Sequence, residues 1–305
     1  EAAIQYLEQP HQKPFFLSVG LFYPHRKYKK ADKSIFNPDY ILPPAGLPDT
    51  PQTREDMADY HCSVADADSN IGRVLDTIRK TGRMEDSLIL ITTDHGLAFP
   101  TMKCNLTDSG IGVTLIMNYP ENPSRGRSID SLVSHIDIFP TICDLLNLDP
   151  PDHLEGTSIR PLFETEGASV RDEVYAEVNF HGAYEPMRCI RTNRYKLIKR
   201  FYRGKRRLSN CDGSISRETM IQQDWHEQEL PERQLFDLFF DPHEANNLTG
   251  SPHYQDILND LEERLTHWMA ETNDPLLDGE MIPEPGARVC VPESIAAGEG
   301  PFIYY

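Results

Sequence analysis

Polar, chemically capable residues stand where an apolar run stops. Ser87-Leu-Ile-Leu-Ile91 leads through two threonines into Asp94-His95-Gly96. A carboxylate and an imidazole are both metal ligands and both titratable, and a glycine beside them lets the chain turn sharply or approach a ligand closely. The residue types alone leave two readings open: a cation or proton-transfer site, and a capped strand end with a hydrogen-bonded Asp. Lys103 follows on the same loop, and His25 stands in Pro24-His25-Arg26, just past a second apolar run at Phe15–Leu21. Placed at the ends of two strands, a lysine and a histidine can converge on one anion and supply a proton to it. A solvated surface lysine and a hydrogen-bonded loop histidine are the plain alternatives.

The elements that must position these residues alternate through the first half of the chain. Phe15-Phe-Leu-Ser-Val-Gly-Leu21 reads as a buried strand. A long helix is expected from Thr53, where Met57, Tyr60, Val64, Ile71 and Ile78 recur at helical spacing, with Thr53 as its cap and Gly82 as its end. The strand before Asp94, another at Val113-Thr-Leu-Ile-Met117 and a helix from Ile136 to Leu146 follow. Strands alternating with helices predict an α/β fold with a mostly parallel sheet sandwiched by helices, ligands binding beyond the carboxyl ends of its strands. The pattern changes near residue 165. Short strands at Glu173–Val178, Met187–Thr192, Tyr195–Lys199 and Gln234–Leu238 predict a small antiparallel sheet, and the apolar face Tyr254, Ile257, Leu258, Leu261, Leu265, Trp268 predicts a helix packed on it. The division is therefore 1–165 and 166–305, with an extended Pro/Gly-rich tail from Asp278.

Composition excludes some function classes. A formal charge of -18 argues against nucleic acid as a partner, because phosphate backbones demand a basic surface. No apolar stretch reaches the length of a membrane span. Six scattered cysteines contain no CxxC pair, which argues against a thiolate zinc site and leaves one or two disulfides open. Within this acidic chain, Arg191, Arg194, Lys196, Lys199, Arg200, Arg203, Lys205, Arg206 and Arg207 form a basic cluster that either attracts a polyanionic glycan or is a solvated hairpin face.

Taken in order, Phe16-Leu-Ser-Val-Gly-Leu-Phe-Tyr-Pro-His25-Arg26, Thr93-Asp94-His95-Gly96 with Lys103, Ser134-His-Ile-Asp137-Ile-Phe-Pro140, Tyr195-Lys196-Leu and Leu235-Phe-Asp237-Leu-Phe-Phe-Asp241-Pro-His-Glu244 resemble landmarks of the sulfatases of the alkaline-phosphatase superfamily. Glu177-Val-Asn-Phe-His181 and Glu185-Pro-Met-Arg188, with Phe99-Pro100 before Lys103, are similar to the heparan N-sulfatase (sulfamidase) branch. The resemblance implies that Asp94 and His95 are two ligands of a divalent cation, usually Ca2+, with Mn2+ or Zn2+ tolerated by the imidazole. It implies that Lys103 and His25 hold the sulfate and help protonate the leaving group. It implies that His181 and Arg188 lie where the small sheet reads the sugar, Arg188 pairing with a substrate carboxylate or sulfate as a fork. The implied substrate is a sulfated sugar or glycosaminoglycan, and the implied location of the whole enzyme is exported: periplasmic, secreted or lysosomal.

One departure from the family pattern is decisive. Sulfatases carry a nucleophile in Cys (or Ser)-x-Pro-x-Arg, oxidised to formylglycine, and these residues do not contain it; Cys290-Val-Pro292-Glu-Ser294 has only its first half. The early Asp-Asp pair of the metal shell is also missing. Together with an opening inside a helical pattern, Glu1-Ala-Ala-Ile-Gln-Tyr-Leu7, this predicts the carboxyl-terminal part of a longer sulfatase, inactive alone, with formylglycine in the amino-terminal part. Two other readings stay open: a phosphoesterase of the same superfamily, and a non-catalytic glycan-binding relative.

Overall fold

A computed structural model describes all of residues 1–305. Helix α1 (Ala2–Glu8) precedes α2 (Pro51–Lys80), whose first turn is closed by a reciprocal pair: Thr50 caps the Thr53 amide, and the Thr53 hydroxyl receives the Thr50 amide. The cap is thus Thr50, three residues before the expected one. At the other end Gly82 takes positive φ, as its place beyond the helix requires. Strands β1 (Ile89–Thr92) and β2 (Leu115–Asn118) flank the short helix α3 (Asp108–Ile111), and α4 (Ile138–Leu145) and α5 (Arg160–Glu164) complete the first region. No helix is long and apolar enough to cross a membrane.

Two expectations for this region need correcting. Phe15–Leu21 is not a strand: it runs extended without ladder partners, and Phe16 is 84% exposed. An apolar sequence sets the tendency to pair, but a strand exists only where a neighbour supplies the other half of its hydrogen bonds. Strands β1 and β2 do pair, with Ile89 opposite Asn118 and Thr92 opposite Leu115, and they run antiparallel, so no parallel pairing occurs within these residues.

The second region follows the sequence closely. Strands β3 (Glu173–Phe180), β4 (Tyr184–Thr192), β5 (Tyr195–Arg200) and β6 (Arg233–Asp237) form an antiparallel sheet in chain order, with α6 (Ile215–Ile221) between β5 and β6. Alternation along the strands makes the sheet two-faced. Ile190, Leu197 and Leu235 meet Leu258, Leu261, Leu265 and Met269 of α7 (Gln255–Glu271). Met187, Cys189, Ile198 and Phe236 face the other way and enclose Leu106, which arrives from the first region. The tail ends in a short hairpin, β7 (Arg288–Cys290) with β8 (Phe302–Tyr304), so it is not wholly extended.

Leu106 is held there by buried charge. Lys196, with its side chain 0% exposed, reaches Glu244 Oε1 at 2.9 Å and also pairs with Asp108. Arg191 adds a second contact to Asp108 at 3.2 Å, and the Asp108 amide donates to Glu244 Oε2 at 2.6 Å. Burial opposes the charge on Asp108, yet Lys196 and then Arg191 hold its carboxyl below the usual range, whereas burial wins at Glu244 and raises it. One ammonium therefore fastens the loop between β1 and β2 to the sheet.

Lys196→Met should cost about 3–5 kcal/mol, because the buried Glu244 carboxylate loses its only cation, whereas Asp108, 36% exposed, keeps Arg191. The abandoned Glu244 carboxyl would then be pushed further above its unfolded pKa, so the variant's deficit should shrink as pH falls from 8 toward 5. Denaturant titration at the two pH values checks this; a loss under ~1 kcal/mol at pH 8 would show that the clamp carries little.

Candidate active site

The loop after β1 is tied to itself. The Gly96 amide donates to the Gly110 carbonyl at 2.8 Å, Leu97 to Ser109 at 3.0 Å, and Lys103 back to Leu97 at 2.9 Å. A side chain at Gly96 would overlap the Ser109 carbonyl, and one at Gly110 would strike the carbonyls of Met102 and Asn105. Glycine is therefore required by close approach at both positions. The result sets Asp94, His95 and Lys103 on one rigid frame anchored by Leu106 and Asp108.

Within it, His95 Nδ1 lies 2.8 Å from its neighbour's carbonyl, Gly96 O, a contact that an N–H donor makes. That leaves the Nε2 lone pair free, 3.6 Å from Asp94 Oδ2, and the Asp94 side chain is 89% exposed. A carboxylate and a neutral imidazole with its coordinating nitrogen unprotonated suit a divalent cation. They are two donors only, and no group of three or more metal-binding side chains is assembled. The residues fit half of a coordination shell.

His25 is positioned by its neighbour. Arg26 forks onto Asp56 of α2 with contacts of 2.8 and 2.9 Å, donates from Nε to the Ala98 carbonyl at 2.8 Å, and lies over the rings of Tyr28 and Phe99. The loop carrying His25 is thus fixed both to α2 and to the Asp94–Lys103 loop. His25 Nδ1 is 2.6 Å from Arg26 O, which leaves Nε2 as the outward-facing nitrogen.

Lys103 points across to the second region, where its ammonium meets Asp212 Oδ2 at 3.0 Å; both side chains are largely covered. His181, on the turn between β3 and β4, joins them. Crowding around its ring, and then the positive charge of Lys103, lower its pKa, with smaller contributions from His95 and His25 and an opposing one from Asp212. The charges of Lys103, His95 and His25 thus all reach His181, and Asp94 lies beside His95.

Arg188 departs from expectation. It is 1% exposed and forks onto Asp274 at 2.5 and 3.0 Å, with Asn179 on its third side. A guanidinium already saturated by a buried carboxylate cannot also hold a substrate, so Arg188 is a structural residue of the sheet. Sequence reading missed Asp212 and Asp56. Asp212 lies 109 positions from its partner and carries no local motif, whereas Asp56 sits on the predicted helix, one turn in, where a carboxylate facing Pro-His-Arg would have been the available sign. All six cysteines are free.

With this geometry established, likeness to known proteins becomes informative. Residues 1–148 match the sulfatase family model and residues 102–212 match the model for the carboxyl-terminal part of N-sulphoglucosamine sulphohydrolase. The human N-sulphoglucosamine sulphohydrolase is 27% identical over 89% of this chain and 63% of its own length. A solved putative sulfatase from Bacteroides fragilis superposes with a TM-score of 0.69 at 17% identity, covering 92% of this chain and 59% of that one. A solved structure in complex with its substrate D-glucosamine-2-N,6-O-disulfate superposes at 0.54 with 23% identity, covering 75% and 44%. By these matches the chain is sulfatase-like over residues 1–212, and its fold is the α/β fold of the solved sulfatases. It spans less than two thirds of the length of these relatives.

Arg188→Ala should therefore act on stability, costing about 3–5 kcal/mol by stranding Asp274. A variant with unchanged melting temperature and altered glycan affinity would restore Arg188 to the substrate site.

Proposed function

We propose that these residues form the cation-holding and sulfate-holding half of a hydrolase of sulfuric esters or sulfamates that acts on a sulfated carbohydrate. The observation that supports it most is the Lys103–Asp212 contact at 3.0 Å, beside which the charges of Lys103, His95 and His25 all reach His181, so that three separate segments meet in one neighbourhood. Relatives named for N-sulphoglucosamine and for a glucosamine disulfate support a sulfated glycosaminoglycan as the substrate class, and with it export of the whole enzyme.

In this reading Asp94 Oδ and His95 Nε2 are two ligands of a divalent ion, Ca2+ by preference, because a hard carboxylate dominates the pair. Bound there, such an ion would supply Lewis acidity toward a sulfate oxygen. Lys103 donates to a second sulfate oxygen, and its pairing with Asp212 holds the flexible four-carbon stem in the orientation that contact needs. With its Nδ1–H on Arg26 O, His25 can act as proton donor only as the imidazolium, whose Nε2–H would supply the proton that the leaving oxygen or nitrogen needs as its bond to sulfur breaks. His181, an exposed imidazole whose protonation its neighbours disfavour, accepts or donates a hydrogen bond to the sugar. The nucleophile is the formylglycine of the family, and the motif that bears it is not among these residues. In the same reading, residues 1–165 belong to the catalytic α/β region and 166–305 to the subdomain that closes over its mouth.

The 305-residue chain alone should show no turnover of aryl or sugar sulfates, because groups that position sulfate cannot replace a nucleophile. In the enzyme completed by its nucleophile segment, Lys103→Ala should lower kcat/KM on the order of a hundredfold or more with the metal still bound, and Asp94→Ala should lose the metal. Asp212→Asn should cost less than Lys103→Ala, since it loosens the ammonium without removing it. Steady-state kinetics on aryl sulfate and aryl phosphate, with metal content by elemental analysis, decide the matter. Lys103→Ala activity within threefold of wild type, or a preference for the phosphate ester, would refute the reading.

A further inference from the structure

The basic cluster of β4, β5 and the following loop divides cleanly once its partners are known. Arg191 and Lys196 meet Asp108, Arg194 meets Asp237, Lys199 meets Glu262, Arg203 meets Glu232, and Lys205 meets Glu227. Arg200, Arg206 and Arg207 have no carboxylate within ion-pair distance. Arg200 Nη2 donates to Gln234 Oε1 at 3.1 Å, a neutral partner, and the carboxylate charge that reaches all three is that of the buried Glu185, itself bonded to Asn210 at 3.0 Å, with no ion pair. Arg200 is buried to 6% exposure, and the Nε of each arginine is shut off from solvent without a partner. The Ser209 hydroxyl, in the same segment, is also buried without a partner.

Three guanidinium groups against one carboxylate leave an excess of positive charge where water is scarce, and such an excess is costly unless an anion completes it. Stacking accounts for part of the arrangement: Arg206 lies over Trp225 at 4.8 Å and Arg207 over Tyr202 at 4.0 Å. Stacking orients the planes but does not satisfy the charge. The cluster also adjoins the site described above: Asn210, which holds Glu185, accepts the amide of Gly182, next to His181, at 2.9 Å.

We propose that Arg200, Arg206 and Arg207 form a second anion subsite, which takes an oxyanion, sulfate ester or carboxylate, borne by the glycan away from the bond that is cleaved. Planar guanidinium forks match both groups in the same way. The identity of the ligand as a glycan rests on the proposed sulfatase function; the existence of the anion site does not.

The test titrates three probes into the 305-residue chain by calorimetry at constant ionic strength: inorganic sulfate, glucuronate and glucosamine 6-sulfate. Arg206→Gln with Arg207→Gln should weaken sulfate binding at this site at least tenfold, while Lys103→Ala should retain it. Glu185→Gln should strengthen it severalfold by removing the competing carboxylate, which also decides the question should the double variant not fold. Unchanged affinity in the double variant, a gain absent in Glu185→Gln, or loss of all sulfate binding in Lys103→Ala would overturn the subsite. Binding of inorganic sulfate alone, with neither sugar sensitive to the arginines, would overturn its assignment to a glycan. A completed enzyme that cleaves phosphate but not sulfate esters, with these binding results intact, would instead remove the sulfatase reading and leave the anion site standing.

Discussion

The site depends on a single buried ammonium. Lys196 sits in the middle of β5, shielded from water, and its contacts with Asp108 and Glu244 lock the segment that follows β1 onto the face of the antiparallel sheet. Leu106 fills the apolar face next to it, and the carbonyls around Gly96 and Gly110 close the loop on itself. Lys103, Asp94 and His95 inherit their positions from that clamp. A buried ion pair is weak support for stability in general, because desolvation offsets much of its attraction. Its value here is specificity: it fixes which loop meets which strand.

Charge then organises the opening. Lys103 brings a cation from the first region, and Asp212 answers it from the second, so the two regions are joined at the place where an anion would bind. The His181 ring stands in the field of both. The same principle separates the arginines and lysines of the hairpin, most of which end on a carboxylate of their own, from the three that do not. Net charge of the whole chain says nothing about this; the local pairing does.

Much of the fold was legible because its signals are local. The alternation of Tyr195-Lys-Leu-Ile-Lys199 and its neighbours predicts strands within three residues of their ends, and the apolar face from Tyr254 to Trp268 predicts α7. The family landmarks Ser134-His-Ile-Asp137 and Glu244 mark structural clamps, Asp137 accepting the amides of Ser134 and Thr157 and Glu244 receiving Lys196. Asp94, His95, Lys103 and His25 stand out in the sequence as candidates because each follows an apolar run. What stayed hidden depends on distant partners. Phe15–Leu21 has a strand's composition but no neighbour to pair with. Arg188 has the residue type of a substrate fork, and only its burial against Asp274 shows otherwise. Asp212 lies in an unremarkable loop until Lys103 reaches it.

The central claim is that Lys103, Asp212 and His181 share one electrostatic neighbourhood, and the titration of the His181 imidazole followed by NMR tests it most directly. In the wild-type chain the midpoint should fall below the ordinary 6.5 for histidine. Removing the cation with Lys103→Met should raise it, because a nearby positive charge disfavours protonation and Asp212 would then act unopposed, while Asp212→Asn should lower it further. A midpoint that moved with neither substitution would contradict the account.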